Sequence, residues 1–214
     1  YPGLDTVILS DGVHADVPES VRLFRVPEDV MASISPMESP QGALFLCRLP
    51  EKKAYVPQPG CLLLDGIQDP GNLGTILRTA DALDIPVTLL EGCADPYSPK
   101  TVRASMGAVF RLGIRRFETA EDCLKVLHAE NITSLAAVPD SAATPITTIP
   151  FETGNWAVWI GNEGNGLTNE AIEHCHDRVT IPMRGRAESF NASTAAAIVL
   201  WEMERNGAGG TSHG

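Results

Sequence analysis

Apolar and polar residues follow two different patterns along the chain, and the change comes near residue 60. Beyond that point, short and almost wholly apolar runs alternate with longer amphipathic segments. The apolar runs predict strands at 61–64, 87–90, 134–138, 157–160 and 179–181. The amphipathic segments predict helices at 74–83, 101–108, 121–129 and 194–203. This alternation is typical of a parallel sheet with helices on both faces, so we expect an α/β fold.

The beginning of the chain has a weaker pattern. Short apolar pieces alternate there with polar connectors, and residues 27–34 predict a short helix with Pro27 in its first turn. We interpret the chain as part of a small α/β domain at 1–50, a linker at 51–60, the main domain at 61–206 and a flexible tail at 207–214. The start at Tyr1, without a methionine, indicates a fragment of a longer chain.

The net charge of −11 argues against nonspecific binding of nucleic acid, because proteins that bind in this way carry a basic field. Local basic clusters still leave a specific site open. One cluster comprises Lys100, Arg103, Arg111, Arg115 and Arg116, and the other comprises Arg178, Arg184 and Arg186. Solvated charges on exposed faces explain these clusters equally well.

The five cysteines are scattered and contain no C-x-x-C pair, which predicts reduced thiols in a cytoplasmic protein. A metal cluster at His174, Cys175 and His176 is a poor explanation, since no second group of ligands accompanies it. These residues are better explained as a solvated helix end, and we expect no metal. No apolar run approaches the length of a membrane span, so we also expect no membrane partner.

Polar residues gather in three loops, each after a predicted strand, and such loops are where α/β sheets bind ligands. The first loop, at 69–80, contains Asn72, Gly74 and Arg78. The planar guanidinium of Arg78 suits a phosphate or a carboxylate. Two alternatives stay open: Asn72 as a helix cap, and a surface ion pair of Arg78 with Asp81 or Asp69.

The second and third loops add further polar groups. Residues 161–168 hold glycines at 161, 164 and 166 around Glu163, with the spacing of neither a Walker loop nor a dinucleotide fingerprint. A plain turn is the alternative there. The third loop, at 181–193, adds Ser189 and Asn191, for which helix capping is the alternative. Its apolar residues would form a slot for a purine or a thioether.

Together these loops resemble, in order and spacing, the three motifs of the SpoU (TrmH-type) RNA ribose methyltransferases of the SPOUT superfamily. The resemblance covers residues 60–205, and residues 102–111 also resemble the segment between the family's motifs. Phe190, Ala192 and Asp84 replace the family's usual leucine, valine and glycine. Residues 1–50 resemble the latter part of the family's N-terminal substrate-binding domain.

The resemblance implies a homodimer, a deep trefoil knot in the C-terminal part of the sheet, and S-adenosylmethionine as cofactor. The cofactor would contact Gly161, Ile181, Met183 and Phe190. The reaction implied is methyl transfer to a ribose 2′-hydroxyl of structured RNA, ribosomal or transfer.

The resemblance also suggests roles for the polar residues of the loops. We expect Arg78 to hold the RNA phosphate and to stabilise the forming alkoxide. Asn72, Ser189 and Asn191 would orient the nucleotide and Arg78. Glu163 would either fix Arg78 or accept the proton.

Two rival interpretations stay open. A non-catalytic RNA-binding scaffold with the same knotted fold agrees with the acidic charge but leaves the polar loops unexplained. A nucleotide-binding enzyme of another α/β family lacks its expected phosphate-binding signature.

Overall fold

The computed structural model describes residues 3–49, 59–153 and 155–205. The chain divides into two compact units, Tyr1–Ala54 and Tyr55–Gly214. Residues 51–58 of the predicted linker and the whole predicted tail lie outside the described residues.

The first unit contains a three-stranded sheet in the order β2-β1-β3. Its elements are β1 (Leu4–Ser10), β2 (Arg22–Val26), α1 (Glu28–Ile34) and β3 (Ala43–Cys47). Strand β1 pairs in parallel with β2 and antiparallel with β3. Pro27 takes the N-cap position of α1 rather than its first turn. Val7, Leu9 and Met31 are buried apolar residues in the described part of this unit.

The second unit contains a seven-stranded sheet in the order β6-β5-β4-β9-β7-β10-β8. Its strands are β4 (Cys61–Leu64), β5 (Val87–Leu90), β6 (Arg115–Phe117), β7 (Thr133–Ala137), β8 (Thr144–Pro145), β9 (Trp156–Ile160) and β10 (Asp177–Thr180). Its α-helices are α2 (Pro70–Ala82), α3 (Pro99–Ala104), α4 (Ala120–Ala129), α5 (Asn169–His174) and α6 (Ala192–Arg205). Short 3₁₀ turns occupy Ala108–Phe110, Ile146–Thr148 and Phe151–Thr153. Each neighbouring pair of strands in this sheet is parallel.

The central strands β4, β5 and β9 are buried on both faces, which explains their mainly apolar sequences, whereas β6, β8 and the start of β10 are more exposed. On one face, Leu62 and Val158 pack with helices α2 and α6. On the opposite face, Leu63 and Trp159 pack with helices α4 and α5. The predicted parallel sheet with helices on both faces is therefore confirmed.

The helices and strands differ from the prediction at several boundaries. Helix α2 begins at Pro70, four residues before the predicted start, because the side chain of Asp69 caps it and proline is accepted in a first turn. The segment predicted as one helix at 101–108 is broken, since Met106 and Gly107 both adopt positive φ angles. Strands β6 and β8 and helix α5 were not predicted, because they are too short to show a period.

Strand β9 lies between β4 and β7, although it follows both in sequence. The carboxyl ends of parallel neighbours meet at one edge of a sheet. The loop after β9 is therefore brought beside the loop after β4, which starts the candidate site.

Candidate active site

The Asn72 side chain links the three loops. Its Nδ2 donates a hydrogen bond to Oε1 of Glu163 over 2.9 Å, and its Oδ1 accepts one from Nδ2 of Asn191 over 3.2 Å. The three residues are far apart in sequence and meet at the edge of the sheet. One side chain from each of the three loops is thus joined in a single hydrogen-bonded set.

Asn72 reaches this position because another residue caps its helix. Oδ1 of Asp69 accepts a hydrogen bond from the backbone nitrogen of Asn72 over 2.8 Å. This bond, followed in effect by the charge of Lys100, lowers the pKa of the Asp69 carboxyl below its usual value. Since Asp69 is the cap, the alternative in which Asn72 caps the helix is wrong, and the Asn72 amide is left for the site.

Asn191 combines both of the roles considered for it. Its Oδ1 accepts hydrogen bonds from the backbone nitrogen and the hydroxyl of Ser193, over 2.9 and 2.7 Å, at the start of α6. Its Nδ2 is then aimed at Asn72. Capping of α6 therefore fixes the orientation of the amide that contacts the site.

The second loop is held by two residues that the sequence analysis did not select. Nδ2 of Asn162 donates to the carbonyl oxygen of Gly66 over 2.8 Å, which ties this loop to the end of β4. Oδ2 of Asp65 accepts from the backbone nitrogen and the hydroxyl of Thr168, over 3.0 and 2.9 Å. Asp65 is only 8% exposed. A carboxylate placed directly after an apolar strand was the signal for it.

Gly161 is required by the shape of this loop. A Cβ atom at this position would overlap the peptide that joins Gly166 to Leu167. Asn162 and Gly166 close the loop with a pair of backbone hydrogen bonds of 2.8 and 3.0 Å. The two ends of the loop thus approach so closely that only glycine fits.

Gly74 lies inside helix α2, where it faces helix α3. A Cβ atom there would overlap Ala104 and lie 2.8 Å from the carbonyl oxygen of Thr101. Gly74 therefore lets α2 and α3 pack closely and serves helix packing.

Arg78 projects from α2 as an exposed side chain. It has no hydrogen bond or ion pair with any residue that the structure describes. The two carboxylates considered as its partners bind other cations: Asp81 accepts from Nε of Arg111 over 2.9 Å, and Asp69 lies 3.5 Å from Nζ of Lys100. Within the described chain, the guanidinium thus remains available to an anion, and Glu163 binds Asn72 rather than Arg78.

A cavity of about 480 Å³ opens beside Glu163 and the first residues of α6. All four residues predicted to contact the cofactor line it, namely Gly161, Ile181, Met183 and Phe190. Ser189 and Glu163 also line it, so Ser189 faces the cavity and is not bonded to Asn72. Phe190 is 39% exposed at its surface.

One wall of the cavity was not predicted. Residues 137–140, at the end of β7 and just beyond it, line the cavity together with Arg178. The predicted strand at 134–138 corresponds to β7, which begins and ends one residue earlier. The strand order that brings the end of β7 beside β9 was not predictable from the sequence.

The histidine and cysteine cluster at 174–176 is engaged in local hydrogen bonds. Nδ1 of His176 accepts from the backbone nitrogen of Ser134 over 3.1 Å, and Nδ1 of His174 lies 2.9 Å from the carbonyl oxygen of Glu170. Across 3–49, 59–153 and 155–205, no group of three or more histidine, cysteine, aspartate or glutamate side chains is arranged to hold a metal ion.

No helix in the described part of the chain is both long enough and apolar enough to cross a membrane. All five cysteines are free thiols.

Comparison with known families decides the relationship. Residues 60–201 match the model of the SpoU rRNA Methylase family, which covers more than half of the chain. The chain belongs to the SpoU rRNA methylase family. All three loops and the cavity fall within the SpoU match, whereas the first unit falls outside it.

Known SpoU relatives and structures agree with this assignment. The chain is 31% identical over 192 residues to the 23S rRNA (guanosine(2553)-2′-O)-methyltransferase RlmP of Bacillus subtilis, covering 89% of this chain and 76% of that protein. A structure from Porphyromonas gingivalis, assigned to the TrmH family of RNA methyltransferases, has a TM-score of 0.85 and 33% identity over 94% of this chain and 82% of that one. An AdoMet-bound rRNA methyltransferase from Sinorhizobium meliloti has a TM-score of 0.79 and 31% identity over 95% and 80%.

Proposed function

We propose that this protein transfers a methyl group from S-adenosylmethionine to a ribose 2′-hydroxyl of ribosomal RNA. The class of reaction follows from membership of the SpoU family, and the Bacillus relative is a 23S rRNA 2′-O-methyltransferase. The observation that carries the proposal is the bonded set of Asn72, Glu163 and Asn191 beside an apolar cavity. A scaffold without activity would leave this polar set unexplained.

The cavity fits the cofactor by size and by chemistry. Its volume of about 480 Å³ lies within the range of pockets for small ligands. Ile181, Met183 and Phe190 offer apolar walls suited to an adenine ring and a thioether. When bound, S-adenosylmethionine supplies a methyl group on a positively charged sulfur, which is a good leaving group.

The chain's own residues then have to bind and orient the acceptor. Arg78 holds an RNA phosphate with its planar guanidinium, whose positive charge also favours the deprotonated form of a nearby hydroxyl. The proton of the 2′-hydroxyl leaves to solvent water as the methyl group is transferred. Asn72 and Asn191 orient the nucleotide, and Glu163 fixes the direction of the Asn72 amide. Ser189 contacts the nucleotide at the mouth of the cavity.

The deep trefoil knot forms part of this proposal. The strand order β4-β9-β7-β10 and the packing of α6 against α2 support it, since the last helix returns across elements formed much earlier in the sequence.

We also propose that the protein is a homodimer and works in the cytoplasm. Trp201 is 57% exposed on α6, which is an unusual position for tryptophan and fits a subunit interface. Five free thiols agree with a reducing compartment. Sedimentation of the wild-type protein beside Trp201→Ser tests the dimer, and a monomeric wild type would contradict it.

The first unit is proposed to contact the RNA substrate. Phe24 and Phe45 are 52% and 61% exposed on its sheet, and Arg22, Arg25 and Arg48 are exposed as well. Aromatic and guanidinium groups are the side chains that stack on unpaired bases.

Calorimetric titration with S-adenosylmethionine tests the cofactor assignment. We expect saturable binding that S-adenosylhomocysteine competes away. Binding without methyl transfer to any RNA would favour the scaffold interpretation. Absence of binding would favour a different α/β nucleotide-binding enzyme.

A further inference from the structure

The turn between α3 and the following 3₁₀ turn has a backbone conformation that its side chain disfavours. Met106 has a φ angle of +51°, in the left-handed region, and Gly107 follows with +80°. Among the described residues other than glycine, only Asp84 and Asn131 share this property. Aspartate and asparagine tolerate the left-handed region, whereas a long apolar side chain is held there by its surroundings.

Met106 is not held there to fill the core. Its side chain is 67% exposed, whereas Ser105 and Ala108 on either side are buried. The turn therefore exposes the flexible Met106 side chain to solvent, although the backbone conformation there is unfavourable for methionine. Backbone strain of this kind is concentrated at functional sites.

Contacts between α2 and the segment 100–111 place Met106 beside the part of α2 that contains Arg78. Lys100 lies 3.5 Å from Asp69 at the start of α2, and Arg111 binds Asp81 near its end. Between these points, a Cβ atom on Gly74 would lie 2.9 Å from the backbone nitrogen of Ser105. Arg78 follows Gly74 by one helical turn and Met106 follows Ser105, so both lie between the same two ion pairs.

We propose that Met106 is a substrate-binding residue that packs its thioether chain against the base of the RNA nucleotide held by Arg78. Arg78 offers a charge for the phosphate, and an apolar side chain beside it offers a surface for a base. A methionine suits bases of different shape because it is unbranched and polarisable. This inference rests on the proposed function and assigns a residue that the three motifs do not include.

The test compares Met106→Gly with Met106→Leu. Glycine removes the side chain and accepts the backbone conformation, so it separates the contact from the fold. We expect Met106→Gly to bind unmodified 23S rRNA transcript about tenfold more weakly in the presence of S-adenosylhomocysteine, with a similar rise in KM for RNA. Its kcat, its affinity for S-adenosylmethionine and its Tm should stay close to the wild-type values. Met106→Leu should restore RNA affinity to within about twofold of wild type.

Asn131→Gly is the matched control, because it makes the same backbone change in the turn between α4 and β7. It should leave RNA affinity and KM unchanged. Wild-type affinity for RNA in Met106→Gly would overturn the inference even if methyl transfer proceeds normally. If the wild-type protein transfers no methyl group, the proposed reaction is refuted. Weaker RNA binding by Met106→Gly than by the wild type would still support the inference in that case.

Discussion

Asn72 and Glu163 are joined by a hydrogen bond of 2.9 Å from the amide nitrogen to a carboxylate oxygen, across 91 residues of sequence. The bond directs the amide oxygen of Asn72 toward Asn191, which donates to it over 3.2 Å. We therefore propose that Glu163 positions Asn72 by accepting this hydrogen bond.

This role predicts a difference between two substitutions of Glu163. Glu163→Ala removes the acceptor and should lower kcat about tenfold, which is the effect of one lost hydrogen bond. Glu163→Gln keeps an oxygen that accepts from Asn72 and should retain most of the activity. Steady-state methyl transfer measures both variants. If Glu163→Gln is as inactive as Glu163→Ala, the carboxylate charge is required and Glu163 is the proton acceptor.

The role proposed for Arg78 depends on a planar guanidinium that donates two parallel hydrogen bonds. Arg78→Lys keeps the charge but loses this bidentate geometry, so we expect kcat/KM for RNA to fall at least about 100-fold. Arg116→Lys is a suitable control. Arg116 is exposed and forms an ion pair of 3.5 Å with the exposed Asp95, and ion pairs between exposed side chains contribute little to stability. Near-wild-type activity of Arg78→Lys would contradict the bidentate role.

The second loop should tolerate a methyl group at Gly164 but not at Gly161. A Cβ atom at Gly161 would overlap the backbone of Gly166, whereas one at Gly164 would lie 3.5 Å from the Asn162 side chain. Gly161→Ala should therefore destabilise the fold by about 1–3 kcal/mol and abolish measurable binding of S-adenosylmethionine. Thermal unfolding and calorimetry test both variants, and normal binding by Gly161→Ala would show that the loop adapts.

His176 makes stability depend on pH. Its Nδ1 accepts a hydrogen bond from the backbone nitrogen of Ser134, which requires the unprotonated ring nitrogen. Burial, followed by the nearby His128, lowers the pKa of His176 below its usual value. Because the folded-state pKa is the lower one, this contribution is present above the ordinary histidine pKa of about 6.5 and is lost as pH falls through the folded value.

The corresponding measurement is the Tm of wild type and His176→Asn between about pH 8 and pH 5. Wild type should lose Tm relative to His176→Asn as the pH decreases. His14→Asn, in the first unit, provides the control. A difference in Tm that stays constant over the whole range would show that His176 does not titrate with folding.

Much of this fold was predictable because the central strands of its larger sheet are buried on both faces. Four-residue runs such as Cys61–Leu64 are wholly buried, and their apolar sequences identify them directly. The three-residue strand Arg115–Phe117 was missed, because a short strand at the edge of the sheet has no such run. The order of the strands was not predictable from periodicity, since pairing between β4 and β9 joins segments nearly 100 residues apart.

The candidate site was also predictable from the sequence only in part. Asn72, Glu163 and Asn191 were identified from their motifs, and the structure brings them together. Which hydrogen bonds they form was not predictable, because Asn72 is free to contact Glu163 only when Asp69 caps α2. Asp65 and Asn162 were missed, since their function is to hold the loop in three dimensions.

The atom that accepts the methyl group can be identified by transfer of labelled methyl from S-adenosylmethionine to unmodified 23S rRNA, followed by alkaline hydrolysis. A 2′-O-methyl group removes the hydroxyl that attacks the neighbouring phosphate, so the label should appear in alkali-resistant dinucleotides. The Arg78→Lys variant should give no such product above background under the same conditions. Label found in mononucleotides would show that a base is methylated and would contradict methylation of the ribose 2′-hydroxyl.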